Sequence, residues 1–193
     1  MAEQSGKRMM MSVQTLTGEK VVLKAVNFDE DMSVLADWDL DSEYQRLLNG
    51  GPAKMYHANQ IKEFFEKEIG EMHFFIIYSR EDNRKIGLVD LSGFDWQVGN
   101  AFIGIGIGDR ELWGQGYGTD AMRTIVRYGF EEVNLRRLSL TVFDFNERAR
   151  KSYAKVGFVE EGRLPGVLLK SNKRYDLIFM RIMRSDWLAG QSG

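Results

Sequence analysis

The most regular pattern in the chain is a period-two alternation over Ala101-Phe102-Ile103-Gly104-Ile105-Gly106-Ile107-Gly108. It puts Ile103, Ile105 and Ile107 on one face of a predicted strand and leaves the face of Gly104, Gly106 and Gly108 bare. Glycine inside a strand marks a bulge or a close approach to the backbone. The period then changes: Met122, Ile125, Val126, Gly129, Phe130 and Val133 recur at helical spacing, with Thr119 as the expected N-cap and Asp120 in the first turn. Between strand and helix lies Trp113-Gly114-Gln115-Gly116-Tyr117-Gly118-Thr119. A glycine-rich turn of this kind aims unpaired N–H groups and the positive end of a helix dipole at one point, which suits a pyrophosphate. A tight turn needing positive φ is the simpler alternative. The spacing is not that of a P-loop, because no Gly-Lys-Ser/Thr follows, nor that of a Rossmann turn, which needs G-x-G-x-x-G early in a βαβ unit.

The rest of the chain alternates between the same two periods. Lys20 to Val26 predicts a first strand, and Asp29 to Trp38 and Ile61 to Ile69 predict helices separated by the breaker cluster Asn49-Gly50-Gly51-Pro52. Phe74 to Tyr78 and Ile86 to Leu91 predict a hairpin through Glu81-Asp82-Asn83-Arg84, and Ser92 to Gly99 is expected to connect onward. Leu138, Leu140 and Val142 alternate with polar residues as a strand; Tyr175 to Ile182 is a final one after a turn at Ser171-Asn172-Lys173. The expected order is one strand, two helices, three strands, helix, strand, helix, strand. There is no internal repeat and no low-complexity linker.

Asn146-Glu147-Arg148-Ala149-Arg150-Lys151-Ser152-Tyr153-Ala154-Lys155-Val156-Gly157-Phe158 reads as a short helix with Asn146 as N-cap, Ala149, Tyr153 and Val156 on one face, and Gly157 as a left-handed stop. With this second segment the pattern becomes specific. The glycine turn resembles the acetyl-coenzyme A (acetyl-CoA) pyrophosphate loop of the GNAT superfamily of N-acetyltransferases. The N-x-x-A-x-x-x-Y-x-K-x-G-F segment is similar to the later motif of its spermidine and ribosomal-protein alanine acetyltransferase branches. The two motifs stand in the family's order and at its usual separation, and compatible patterns run from about Val21 to Ile182. The resemblance implies an α+β fold with a mixed, largely antiparallel sheet covered by helices on both faces. One acetyltransferase domain is expected over residues 13–187, and the polar terminal residues read as a disordered segment at 1–12 and a frayed end at 188–193.

Composition narrows the function classes. With 193 residues and 44% hydrophobic content, one substantial core is expected. A net charge of −2 and the absence of a polybasic run argue against a nucleic-acid partner. No stretch reaches the roughly 20 apolar residues of a membrane span, and no signal peptide is legible, so a cytoplasmic protein is expected. The absence of cysteine excludes disulfides and a cysteine nucleophile, so an acyl group must pass directly from donor to acceptor. Only His57 and His73 are present, with no ligand spacing, and no metal is expected.

The resemblance also assigns chemistry. An amine attacking a thioester must lose a proton, the carbonyl oxygen needs hydrogen-bond donors, and the departing thiolate needs a proton. The family's backbone donors map onto Ile105, Gly106 and Ile107; its phosphate loop maps onto Trp113, Gly114, Gln115, Gly116, Tyr117, Gly118 and Thr119, with Asn146 and Ser152 facing coenzyme A from the second motif. Tyr153 matches the proton-donor tyrosine. Trp113 is expected to pack under the loop, and Arg148, Arg150 and Lys151 either reach phosphates or form a solvated helix face. Many relatives carry an acidic residue where this chain has Phe102, which leaves the base unassigned among Asp90, Asp95 and His57, a water chain, or an amine that arrives neutral. Asp37, Asp39, Asp41 and Glu43 would suit a cationic acceptor or are simply solvated. The expected acceptor is a small-molecule amine, a polyamine or a peptide N-terminus, and a homodimer is a family-level expectation. A non-catalytic acyl-CoA sensor of the same fold is the alternative, kept open by Phe102.

Overall fold

The computed structural model describes residues 15–50, 52–68 and 70–191. The expected disorder of residues 1–12 lies outside them. The order is β1 (Val21–Ala25), α1 (Met32–Asp39), α2 (Ser42–Asn49), α3 (Ala58–Glu68), β2 (His73–Ser79), β3 (Lys85–Asp95), β4 (Asn100–Ile107), a 3-10 turn (Arg110–Leu112), α4 (Tyr117–Glu131), β5 (Arg137–Phe143), α5 (Glu147–Val156), β6 (Val159–Lys170), β7 (Lys173–Met183) and α6 (Arg184–Gln191). The seven strands form one sheet in the order β1-β2-β3-β4-β5-β7-β6. The β4–β5 pair is parallel and its neighbours are antiparallel, so the sheet is mixed and largely antiparallel as expected.

Both faces are covered. On one, Ala121, Met122, Ile125, Val126 and Phe130 of α4 pack on Val89, Leu91, Leu138 and Ile178 from the strands, and Trp187 of α6 closes over Phe130 with ring centroids 5.5 Å apart. On the other, Met32 and Leu35 of α1 and Ile61 and Phe65 of α3 pack on Ile76, with Leu88 alongside. The carboxylate of Asp120, buried in the first turn of α4, fixes the helix to the sheet edge. It accepts the backbone N–H groups of Glu19 at 3.1 Å, Lys20 at 2.7 Å and Val21 at 3.0 Å.

Three elements differ from the sequence expectation. Helix α2 is capped by Asp41, whose carboxylate accepts the N–H of Glu43 and Tyr44, and is stopped by Gly50 at φ 62°; its exposed Glu43, Arg46 and Leu48 obscure the apolar stripe. Strand β6 is an edge strand containing Pro165 and two glycines, and its exposed residues carry no period-two signal. Residues 188–191, expected to be frayed, belong to α6. The β6–β7 hairpin turns at Ser171 and Asn172, both at positive φ, the geometry of a two-residue type I′ turn.

Candidate active site

The site begins where two parallel strands stop pairing. β4 and β5 are in register at Asn100–Arg137, Ala101–Leu138 and Phe102–Ser139; beyond that β4 continues beside β3 and β5 beside β7, and a wedge opens between them. The N–H of Gly108 donates to the Ile86 carbonyl at 2.9 Å, so the even-numbered residues of β4 bond toward β3. By alternation, the N–H groups of Ile105 and Ile107 point into the wedge. On the same side the Trp113 indole N–H reaches the Ile107 carbonyl at 2.7 Å.

The glycine turn forms one wall of the wedge. Helix α4 starts at Tyr117 with Gly116 as N-cap at φ 92°, and no side chain caps it. This corrects the expected cap at Thr119, which sits inside the first turn. A helix start leaves its first N–H groups without intrahelical partners, and here Gly118 and Thr119 of that first turn line a cavity of about 920 Å3 together with Gly114 and Gly116. A Cβ at Gly114 would meet nothing within 4 Å, and one at Gly116 only the Lys20 stem at 3.9 Å. Conformation, not crowding, requires glycine at these two positions.

Helix α5 forms the facing wall. Asn146 caps it by accepting the Ala149 N–H at 3.2 Å, and Gly157 ends it at φ 109°. Its Asn146, Arg148, Lys151, Ser152, Tyr153 and Lys155 line the cavity. Two contacts join the walls: the hydroxyls of Thr119 and Ser152 are 2.7 Å apart, and the Arg148 guanidinium lies 3.9 Å from the Trp113 ring centroid. Tyr153 packs beside Phe158, and burial pushes its phenol up to about 12, against a lowering by the nearby Arg148 charge. Arg150 turns outward to Glu160 at 3.8 Å.

Ile105, Gly106, Ile107, Trp113, Gly114, Gly116, Gly118, Thr119, Asn146, Ser152 and Tyr153 therefore surround one cavity. The side chains of Gln115 and Tyr117 do not. Gln115 folds back on the Glu111 carbonyl, and Tyr117 is buried with its hydroxyl 3.3 Å from Glu81, leaving both only their backbone to offer. The close approach expected on the glycine face of β4 is made by side chains: a Cβ at Gly104 would lie 2.3 Å from Asp90 Oδ2, at Gly106 2.5 Å from Tyr44 Oη, and at Gly108 2.1 Å from Trp38. Side chains from β3, α2 and α1 fill it. Only the third dimension assembles that row, although the Asp41 cap and Gly50 stop of α2 were available in the sequence.

A family model described as an acetyltransferase (GNAT) domain matches residues 20–159. The chain belongs to the GNAT acetyltransferase family. It is 26% identical over 178 residues to the SPbeta prophage-derived uncharacterized N-acetyltransferase YokL of Bacillus subtilis (strain 168), covering 92% of this chain and 97% of that one. It is 30% identical over 160 residues to spermidine N(1)-acetyltransferase of Escherichia coli (strain K12), covering 83% and 84%. Spermidine N-acetyltransferase from Vibrio cholerae, solved in complex with CoA and spermine, superposes with a TM-score of 0.78 at 23% identity, covering 88% of this chain and 98% of that one. As a GNAT enzyme the chain is an acetyl-CoA-dependent acetyltransferase.

Within this GNAT domain several of the carboxylates weighed for the acceptor side have other partners. Asp41 and Glu43 pair with Arg110. Asp95 accepts the N–H groups of Gln97 and Val98 at the β3–β4 turn. His57 is exposed on the chain before α3, and His73 is on the α4 face, its Nδ1 3.1 Å from the Tyr128 hydroxyl and its pKa lowered by burial. Asp39, raised by burial and steadied by Gln45, and Asp90 remain on the side of the sheet that carries Tyr44.

Proposed function

We propose that this enzyme transfers the acetyl group of acetyl-CoA directly to a primary amine, with the phosphates of CoA held by the start of α4 and the thioester in the wedge between β4 and β5. The observation that carries the reading is the uncapped helix start at Gly116, opening on the same cavity as the inward N–H groups of Ile105 and Ile107 and the Tyr153 hydroxyl. In this assignment the two strand N–H groups stabilise the carbonyl oxygen as it gains charge, a task at which fixed dipoles in a dry site are effective. Tyr153 protonates the leaving thiolate. Arg148 and Lys151 supply positive charge beside the phosphates, and Thr119, Asn146 and Ser152 offer hydroxyl and amide groups to the cofactor arm.

A small cationic amine of the polyamine type is the first acceptor to test, because the E. coli relative is named a spermidine acetyltransferase and desolvated Asp39 and Asp90 lie near Tyr44 and Gly104, two residues of the cavity wall. A peptide N-terminus is the second. Thiol release from acetyl-CoA against polyamines, amino acids, aminoglycosides and N-terminal peptides tests the reading. Acceleration by at least one amine class is expected; slow hydrolysis unaffected by any amine would instead make the chain an acyl-CoA sensor.

The loop assignment has its own test. An L-residue at φ 92° costs about 1–2 kcal/mol, and relaxing that strain turns the N–H groups at the helix start away from the cavity. Gly116→Ala should therefore weaken acetyl-CoA binding by roughly tenfold, measured by titration calorimetry. Unchanged affinity would remove the loop backbone from phosphate binding.

A further inference from the structure

We infer that Asp90, on strand β3, is the general base of this enzyme, taking the place of a carboxylate on β4. The inference rests on the acetyltransferase reading above. Asp90 is the register partner of Gly104, and its carboxylate lies where a side chain at 104 would begin: an added Cβ would be 2.3 Å from Oδ2 and 3.3 Å from Oδ1. Gly104 itself lines the cavity. The carboxylate thus rests on the residue immediately before Ile105, whose N–H points into the wedge, about 3.4 Å further along the strand. The ring of Phe102, two residues earlier on the same face, leans toward Gly93 at the hairpin end, within 3.5 Å of a Cβ there. Positions 102, 104 and 90 form one arrangement: an apolar side chain turned outward, a glycine that clears the strand surface, and a carboxylate laid across it from the neighbouring strand.

The fold gives this carboxylate little in return. Ser92 steadies it, while burial raises its pKa to about 6, and no cation is among the groups that set its protonation. Among the described residues, the titratable groups with raised pKa on the face that carries Asp90 include Tyr44 from α2 and Asp39 at the end of α1, while α2 also carries the exposed Glu43 and Arg46; from β2 the register partner of Asp90 is Phe74. A carboxylate titrating near 6 is ionised at neutral pH and is a stronger base than an exposed one, as a general base must be. In the reaction Asp90 first takes one proton from the arriving ammonium and passes it to solvent. The amine lone pair forms the C–N bond as the carbonyl π pair moves to oxygen. Asp90 accepts the second N–H proton, and collapse breaks the C–S bond, with the thiolate taking its proton from Tyr153. The Asp90 proton then returns to the phenolate, leaving the amide, free CoA thiol and one proton in solvent.

The test is the pH dependence of amine acetylation by the full chain, with the amine's own ionisation divided out. The wild type should lose activity as pH falls through about 6, where the base becomes protonated. Asp90→Asn should lower kcat/KM for the amine by roughly 10²–10³-fold, keep acetyl-CoA affinity within about twofold, and abolish that limb. Asp39→Asn, which removes the other desolvated carboxylate, should retain it. Ser92→Ala keeps the base but removes the hydroxyl that lowers its pKa, so the limb should move to higher pH; this variant decides the matter if Asp90→Asn does not fold. Turnover of Asp90→Asn within about threefold of wild type, or a limb indifferent to both Asp90 and Ser92, overturns the assignment while leaving the acetyltransferase reading intact. Absence of amine-dependent thiol release by the wild type overturns both.

Discussion

Replacing Tyr153 by Phe is expected to lower kcat by roughly two to three orders of magnitude, the range for loss of a positioned general acid, with acetyl-CoA affinity unchanged within about twofold. The ring stays: Phe preserves the packing of Tyr153 beside Phe158 on the apolar face of α5, so the cavity keeps its shape and the cofactor its contacts. What is lost is one proton donor. Burial holds that phenol near 12, so it is fully protonated over the working pH range and titrates away only as pH rises through 12. No alkaline limb from Tyr153 should therefore appear at ordinary assay pH. The Arg148 charge lowers the Tyr153 pKa, so under the proposed assignment it would favour the phenolate formed once the proton has left. Steady-state kinetics and acetyl-CoA titration of the same preparation separate the two effects. A kcat close to wild type would remove Tyr153 from the reaction and leave it as a packing residue.

The largest expected stability effect is at Asp120. Its buried carboxylate accepts three successive N–H groups where the chain enters β1, and a Cβ at Gly18 would fall 2.3 Å from Oδ2, so chain and carboxylate fit with no space between them. Hydrogen bonds to a charged acceptor contribute about 1.5–3 kcal/mol each and are not additive. Asp120→Ala leaves all three donors unsatisfied and should cost roughly 3–5 kcal/mol, a large share of the 5–15 kcal/mol that holds a typical domain folded. Urea unfolding should show the midpoint falling at constant slope, and the thermal midpoint should drop by on the order of 10 °C. Asp120→Asn, which keeps one acceptor oxygen, should fall between. Because Asp120 lies in the first turn of α4, the alanine variant should also bind acetyl-CoA more weakly. Wild-type stability in Asp120→Ala would show that solvent satisfies the three donors.

How much was legible follows from where each feature's causes lie. The glycine turn and the Asn146 to Phe158 helix were readable because their geometry is local. Gly116 and Gly157 adopt φ angles that L-residues avoid, and the Asn146 amide reaches an N–H three residues on. The edge strand β6 and the short helices α2 and α6 were not readable, because strands and helices packed on only one side, or barely packed, bury too few residues to imprint a period. The glycines of β4 were half readable. Their spacing announced a close approach but could not say to what, and the answer is Asp90, Tyr44 and Trp38.

By itself, then, the sequence determined the family, the glycine turn at the start of α4, the position of Tyr153 and the exclusion of a cysteine intermediate, since each depends on residue identity at short range. The tertiary structure alone decided where β4 and β5 part, that Trp113 and Arg148 join the two walls, and that the Asp90 carboxylate lies on Gly104. These partners are 14 or more residues apart in the chain. Sheet register brings the strand residues together, the packing of α5 against the glycine turn joins Trp113 to Arg148, and burial raises the pKa of Asp90 to about 6.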